Sequence, residues 1–219
     1  KINNNEWTEG SSIPGERELE RMFGLSRTPI RRAIGELVVE GVLERVHGKG
    51  TFVSKKKIKQ TTTRMVGLVE GLYQRGFNPK VSLHKFMNIN ASENVSKLLN
   101  LPVGTNMIYV CRKIFVDNEV LIVDENYFNA DVASFINEEN AKEHAFLELF
   151  ESNGIGVTKG SSTFSASILS PELASLLNVE KNSPALVVRA TTYGMKELIL
   201  NYSVSYCRSD RYEYEIYLE

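Results

Sequence analysis

The strongest constraint on what this chain can fold into lies in residues 26–53, SRTPIRRAIGELVVEGVLERVHGKGTFV, where a basic helix runs directly into a short hairpin. Ser26 is a good N-cap, because its hydroxyl can accept from an orphan N–H of the first helical turn. Pro29 is tolerated this early, since those N–H groups have no intrahelical partner. Ile30, Ala33, Ile34, Leu37 and Val38 then recur at the spacing of a helix with one buried face. Arg27, Thr28, Arg31 and Arg32 sit at its N-terminal end, off that stripe. Downstream, residues 43–46 and 51–53 read as two short strands joined through His47-Gly48-Lys49-Gly50, a set of residues suited to a tight turn.

Taken alone, an amphipathic helix with these charges reads as a solvated basic face. Its neighbours change that reading. Residues 16–23, ERELERMF, carry Leu19, Met22 and Phe23 on one face, and Gly24 is placed for a left-handed C-cap before Leu25 and Ser26. Helix, glycine-containing turn and helix is the spacing of a helix-turn-helix, whose second helix meets base edges with its N-terminal end. A lysine at a glycine-flanked hairpin tip can approach a phosphate backbone closely. Charge agrees once it is divided: residues 1–60 hold 12 Lys and Arg against 8 Asp and Glu, whereas the rest holds 14 against 19. A nearly neutral chain is thus a basic N-terminal module joined to an acidic C-terminal one, which favours nucleic-acid contact at one end.

These residues resemble the winged helix of the GntR family of bacterial transcription regulators, through the E-R-E-L, S-R-T and G-x-G-T-F-V elements within about forty residues. The resemblance implies that Arg17, Arg27, Thr28 and Arg31, with Ser26 at the helix start and Gly48 and Lys49 at the wing tip, contact double-stranded operator DNA. Arg17 would hold phosphate, while Arg27 or Arg31 would read guanine O6 and N7; Arg45 reads either as a contact or as a solvated strand residue. Gly15 replaces the family's usual Ser, a small change for a cap. The family's module opens with a helix before Ile13, and residues 1–10, KINNNEWTEG, are too polar to supply it. With no initiator Met, the chain is expected to lack its natural N-terminus.

The expected organisation is a DNA-binding domain over residues 1–54, a linker over 55–63 and a second domain over 64–219. The linker expectation rests on a charged, then polar and β-branched run with no helical stripe. No apolar run approaches the roughly 20 residues of a membrane span and no signal peptide is evident. Cys111 and Cys207 lie in apolar, strand-like segments and read as buried free thiols of a cytoplasmic protein. The three histidines show no metal spacing, and no cofactor is expected.

An internal duplication organises the second domain. SENVSKLLNLPVGTNMIYV (92–110) and SPELASLLNVEKNSPALVV (170–188) superpose at an offset of 78. Ser92 and Ser170 are N-cap candidates, each before a short helix ending in Leu-Leu-Asn and a turn into an apolar strand. The offset is expected to hold through a hairpin, pairing residues 115–122 with 193–200. Two helix–strand–hairpin–strand units most simply join into one antiparallel sheet with helices on one face, an α+β domain. Between them, residues 145–150 with Gly154 read as a further helix and its stop.

This half resembles the UTRA effector-binding domain found behind the winged helix in the HutC branch of the family. The resemblance rests on Arg112, the hairpin Asp117-Asn118-Glu119, Tyr127 and the terminal Tyr206-x-Arg208-x-Asp210-Arg211-Tyr212. It implies a chorismate-lyase-like fold, homodimerisation and a small-molecule effector (a sugar, sugar phosphate or other metabolite). Members that bind phosphorylated sugars carry an R-x-R pair, a Ser-x-Tyr and a late Glu. Here Arg112 is kept, but Ile114, Ala145, Leu147 and Asn201 fill the other positions. Either the effector is not a phosphosugar or its phosphate is held elsewhere, since a phosphate needs several donors around it. Lys159, Ser161, Ser162, Thr163 and Ser165 are candidate replacements, with an exposed polar strand as the alternative. Tyr127 and Asn201 join the candidate effector set, while Arg189 and Tyr193, which also have the family's look, read either as effector contacts or as structural residues. Asp124 either accepts from an effector hydroxyl or sits at a sheet edge, and Asp210 and Arg211 read as a structural pair.

The overall expectation is an effector-controlled transcription regulator, a repressor by preference. The alternative is a chorismate-lyase-like enzyme with a DNA-binding appendage. No Ser-His-Asp or Cys-His arrangement, metal-spaced cluster or phosphate-cradling glycine loop supports that alternative, and His84 and His144 stand alone.

Overall fold

In the computed structural model, which describes residues 1–2, 4–55, 58–61, 67–143 and 145–215, the chain divides into two compact units, Lys1–Lys57 and Ile58–Glu219. In the first, α1 (Glu16–Phe23) stops where Gly24 turns left-handed at φ 66°, its N–H donating to the Glu20 carbonyl. α2 (Arg27–Val39) begins from extended backbone at Ser26, but the Ser26 hydroxyl makes no capping bond. The expected cap position is there, set by backbone geometry without its side-chain bond. β1 (Leu43–Val46) and β2 (Gly50–Val53) pair antiparallel with Leu43 opposite Val53, and Gly48 permits the tight tip with φ 72°.

A third extended piece joins this hairpin. Ser12 bridges Phe52, the Ile13 N–H donates to the Thr51 carbonyl and the Val53 N–H donates to that of Ser11, both at 2.9 Å. Ile13, Leu19, Ile30, Ile34, Leu43 and Val53 form the core of the unit. Met22, Phe23 and Ala33 do not join it as the helical pattern predicts; Met22 and Phe23 stay about half exposed, at 47% and 48%. α1 has only eight residues, and the described partners meet it along the Leu19 line alone.

The second unit is built on a six-stranded antiparallel sheet. One repeat supplies β4 (Lys80–Asn90), α4 (Glu93–Leu99), β5 (Asn106–Val116) and β6 (Glu119–Phe128). The other supplies β7 (Val157–Ile168), α8 (Pro171–Leu177), β8 (Pro184–Gly194) and β9 (Ile199–Arg208). The strand order β4-β5-β6-β9-β8-β7 places the two halves symmetrically about the β6–β9 pairing. Each repeat thus has one strand more than its sequence pattern announced, because β4 and β7 are edge strands with largely exposed, polar faces. The helix caps match across the duplication. Ser92 accepts from Val95 N–H and Ser170 from Leu173 N–H, and Asn100 and Asn178 end the helices left-handed at φ 53° and 54°.

The expected offset breaks at the hairpins. Phe115 and Tyr193 are 78 residues apart, but their partners Val120 and Ile199 are 79 apart. The first turn is the two-residue Asp117-Asn118 with both φ positive, suited to the sheet twist. The second is a longer loop through Met195–Glu197, with Lys196 and Glu197 left-handed.

Helices cover both faces of the sheet, where the repeat pattern predicted one. α4 packs over β9 and α8 over β6, each helix crossing to the other repeat's strand. On the opposite face lie α3 (Leu68–Gln74), α5 (Ala130–Ala133), α6 (Asn140–Glu143) and α7 (Phe146–Ser152). The physical reason is visible in β5 and β6, which are buried along nearly every residue and need cover on both sides. Part of the expected linker is itself structured: β3 (Ile58–Thr61) pairs in parallel with β10 (Tyr212–Glu215). A helical-stripe search does not see a short strand whose stabilising partner lies 154 residues downstream. Residues 56–57, 62–63 and His144 lie outside the described residues.

Phe128 is fully buried on the covered face, edge-on to Phe146 at 4.6 Å and to Phe150 at 6.2 Å between ring centroids. Phe128→Ala is expected to destabilise the C-terminal unit by about 3–5 kcal/mol. Urea unfolding followed by circular dichroism measures this, while fluorescence of Trp7, the only tryptophan, reports an N-terminal unit that stays unchanged.

Candidate functional site

Each unit presents one candidate site. On the first, Arg17 lies on α1, Ser26 at the α2 cap, Arg27, Thr28 and Arg31 on the first turns of α2, and Gly48 and Lys49 at the wing tip, all exposed. The helix-turn-helix brings Arg27 and Arg31 together through a residue the sequence reading passed over. Glu16, the first residue of α1, accepts from the Nε of both arginines at 2.9 Å. The hydrogen bonds from Arg31 and then Arg27 hold its carboxyl below the ordinary value of 4.5. Their terminal Nη groups make no hydrogen bond to described residues, so each keeps a fork of donors for an external acceptor. Arg32 turns away to Glu36 at 2.9 Å, an i,i+4 pair on the helix surface. The signal for Glu16 was present in E-R-E-L, but only the helix crossing shows which residues it meets.

On the second unit, a cavity of about 360 Å³ opens on the sheet face shared with α3 and α7. Its floor is polar and lies across the β6–β9 pairing. Asp124 and Asn126 come from β6, while Asn201, Ser203 and Ser205 come from β9, with Asp124 opposite Ser205 and Asn126 opposite Ser203. Arg112 of β5 donates to Asp124 Oδ2 at 2.8 Å, Asn126 Nδ2 to the same oxygen at 2.7 Å, and Ser205 to Oδ1 at 2.8 Å. Asn201 Nδ2 extends the chain to Asn126 Oδ1 at 3.2 Å. The Arg112 guanidinium also stacks over Phe146, 3.8 Å from the ring centroid, and Nη1 reaches the Ala141 carbonyl at 3.4 Å. Asp124 therefore sits mid-sheet in a buried ion pair, not at a sheet edge.

Strand position and face separate the candidate residues that line the cavity from those that do not. Arg112, Asp124, Ser161, Ser162 and Asn201 line the cavity, as do Ala145 and Leu147. Tyr127, Thr163, Ser165 and Arg189 do not. Tyr127 belongs to a tyrosine cluster on the α4/α8 face, 5.1 Å from Tyr109 and 6.4 Å from Tyr202, where burial pushes its hydroxyl up to about 12. Arg189 donates to Ser165 at 2.8 Å, one strand position out of phase with the cavity-lining Val188 and Ala190. Lys159 pairs with Glu197 and lies over the Tyr193 ring, outside the cavity. Ile114 is fully buried in the adjoining core and does not line this cavity.

The remaining polar expectations resolve nearby. Asp210 pairs with Arg208 at 2.7 Å and Arg211 with Glu119 at 3.1 Å, so the two do not pair with each other. They point to different strands across the turn before β10. Cys111 and Cys207 are free and buried, with burial raising both thiols, Cys111 to about 11. Among the described residues no His, Cys, Asp and Glu group is placed to hold a metal, and no helix is long and apolar enough to cross a membrane.

A winged helix-turn-helix joined to a cavity-bearing antiparallel sheet defines a class of protein that binds DNA and senses a small molecule. The comparisons agree. Residues 1–53 match the family model described as bacterial regulatory proteins, gntR family, and residues 74–213 match the UTRA domain. The chain is 26% identical over its whole length, and over 90% of the relative's, to the HTH-type transcriptional repressor NagR of Bacillus subtilis. It is 27% identical to the HTH-type transcriptional regulator GgaR of Escherichia coli, covering 93% of this chain and 80% of that one. The crystal structure of PhnF from Mycobacterium smegmatis shares the fold, with a TM-score of 0.69 at 21% identity over 98% of this chain and 95% of that one. The chain belongs to the UTRA-bearing GntR regulators, and is a DNA-binding transcription regulator with an effector-binding domain.

The buried pair has a direct test. Asp124→Ala leaves Arg112, itself only 3% exposed, without its carboxylate, and is expected to cost about 3–5 kcal/mol of stability. Asp124→Asn keeps an acceptor oxygen and is expected to cost less; thermal melts of the two variants beside the wild type measure the difference.

Proposed function

We propose that this regulator is a repressor whose homodimer binds a pseudo-palindromic operator and is controlled by a small molecule in the β6–β9 cavity. The observation that carries the DNA half of this reading is the Glu16-centred pair of Arg27 and Arg31 at the exposed start of α2. A recognition helix entering the major groove by its N-terminal end puts those two side chains at base edges. Bidentate contact with guanine O6 and N7 is the chemistry a positioned guanidinium performs. Ser26 and Thr28 flank them, Arg17 holds phosphate from α1, and Gly48 lets the wing backbone bring Lys49 close to the adjacent strand.

The two heads of a dimer fit half-sites about one helical turn apart only when correctly spaced. An effector that favours another spacing weakens both contacts together, so a coupling of ~1–3 kcal/mol changes occupancy ~5–150-fold. The repressor assignment follows the named functions of relatives such as NagR, since a winged helix by itself serves repression and activation alike. The protein acts on DNA in the cytoplasm and catalyses no reaction. The cavity's one carboxylate, Asp124, is held by Arg112, Asn126 and Ser205 within the sheet, an arrangement that supports a binding role.

With an operator selected from genomic fragments, Arg27→Ala is expected to abolish protection in footprinting while the dimer persists in light scattering; unchanged protection refutes the assigned readout. Lys49→Ala is expected to weaken all sequences about equally and to reduce the slope of log affinity against log salt by about 1. Fluorescence anisotropy at several salt concentrations reads both quantities.

A further inference from the structure

We propose that the cavity's ligand is a neutral polyhydroxy compound of monosaccharide size, not an anion or a phosphate ester. This rests on the reading of the cavity as the effector site and deepens it. Among the described residues lining the cavity, Arg112 and Asp124 are the only charged ones, and they neutralise each other at 2.8 Å. The guanidinium is further committed to the Ala141 carbonyl and to the Phe146 ring. Among the described residues no second cation lines the cavity, whose other positions include Ala145, Leu147, Ser162, Ala190 and Thr192.

Desolvating a phosphate or carboxylate against such a lining is costly, since a buried charge needs an opposite charge or several charge-assisted donors. The first turns of α3 and α7 border the cavity, but these are seven-residue helices whose ends carry only partial charge. A hydroxylated neutral molecule meets no such cost. The hydroxyls of Ser162, Ser203 and Thr192 line the cavity and make no hydrogen bond to described residues. Each can both donate and accept, which suits alcohol groups whose own hydrogens rotate. Asn201 adds an amide whose Nδ2 is used internally and whose carbonyl oxygen is not. In the same row of the sheet as Asp124 and Ser205, at the β7 edge, Phe164 meets Tyr214 of β10, 4.4 Å apart between ring centroids, and the two give the cavity an apolar border for the C–H face of a sugar ring. A volume of about 360 Å³ lies at the small end of ligand pockets, which run roughly 300–1,000 Å³.

The test pairs charged and neutral forms of one scaffold. The full-length protein is titrated with D-glucose, D-galactose, D-mannose, D-mannitol and a library of neutral pentoses and hexitols, each beside its phosphate ester where one exists. Inorganic phosphate is the further control, and melting temperature and calorimetry are the readouts. At least one neutral member is expected to bind at least 10-fold more tightly than its ester. Its affinity is expected to change less than 2-fold between 20 and 500 mM salt, because no charge is there to screen. Ser203→Ala is expected to weaken it about 5-fold, the loss of one hydrogen bond. Tighter binding by the esters, binding of inorganic phosphate, or failure of the whole neutral series overturns the proposal.

Anisotropy of operator DNA in the same titrations separates this outcome from the functional reading. If a phosphate ester binds and releases DNA, effector control stands and neutrality falls. If a neutral sugar binds and DNA is unmoved, the ligand class stands and effector control through this cavity falls.

Discussion

The β6–β9 pairing is the contact on which the C-terminal unit depends. Each repeat alone is a three-stranded sheet with one helix, too thin to bury its own central strand. Antiparallel pairing of β6 with β9 makes one six-stranded sheet, and each repeat's helix then covers the other's strand, α4 over β9 and α8 over β6. Neither half can bury its apolar face without its counterpart. The same seam creates the site, because Asp124, Asn126, Asn201, Ser203 and Ser205 face one another across it. A polar cluster in the middle of a buried sheet is costly unless its members satisfy one another. Here Arg112, Ser205 and Asn126 all converge on one carboxylate, and Asn201 is tied in through Asn126.

That arrangement links stability to recognition. The buried ion pair cancels the only two charges that the described residues bring to the cavity, and its hydrogen bonds tie in the asparagines, so the floor is organised before any ligand arrives. The N-terminal unit uses an ion pair to a different end. Glu16 lies at the surface with both arginines exposed, where such pairs contribute little to stability. What it does is order two long side chains at the start of α2, which under the proposed DNA contact reduces the conformational freedom they lose on binding.

Much of this was legible from residue patterns. The 3.6-residue stripe of α2, Gly24 as a left-handed stop and the glycine-flanked wing tip are local, and local rules place them. The duplication likewise placed α4 and α8 to the residue, because Ser92 and Ser170 and the terminal asparagines are caps with their own hydrogen bonds. Patterns failed where alternation is weak or where the partner lies far away in the chain. β4 and β7 are polar edge strands with weak alternation, and β3 has its partner at the far end of the sequence. The candidate effector residues divide between the cavity and other surfaces for a related reason. Ser162 and Thr163 are chemically alike and adjacent, yet a strand sends them to opposite faces.

The sequence by itself determined the class of protein: a basic helix-turn-helix with a wing, joined to a duplicated, acidic α+β domain. It did so because caps, turns and hydrophobic periods act over a few residues and leave their mark in order along the chain. Only the tertiary structure decided that helices cover both sheet faces, that Glu16 gathers Arg27 and Arg31, and that Arg112 spends its charge on Asp124. Each of those depends on side chains from distant segments meeting at hydrogen-bond distance, and strand register and helix crossing, not local propensity, set that distance.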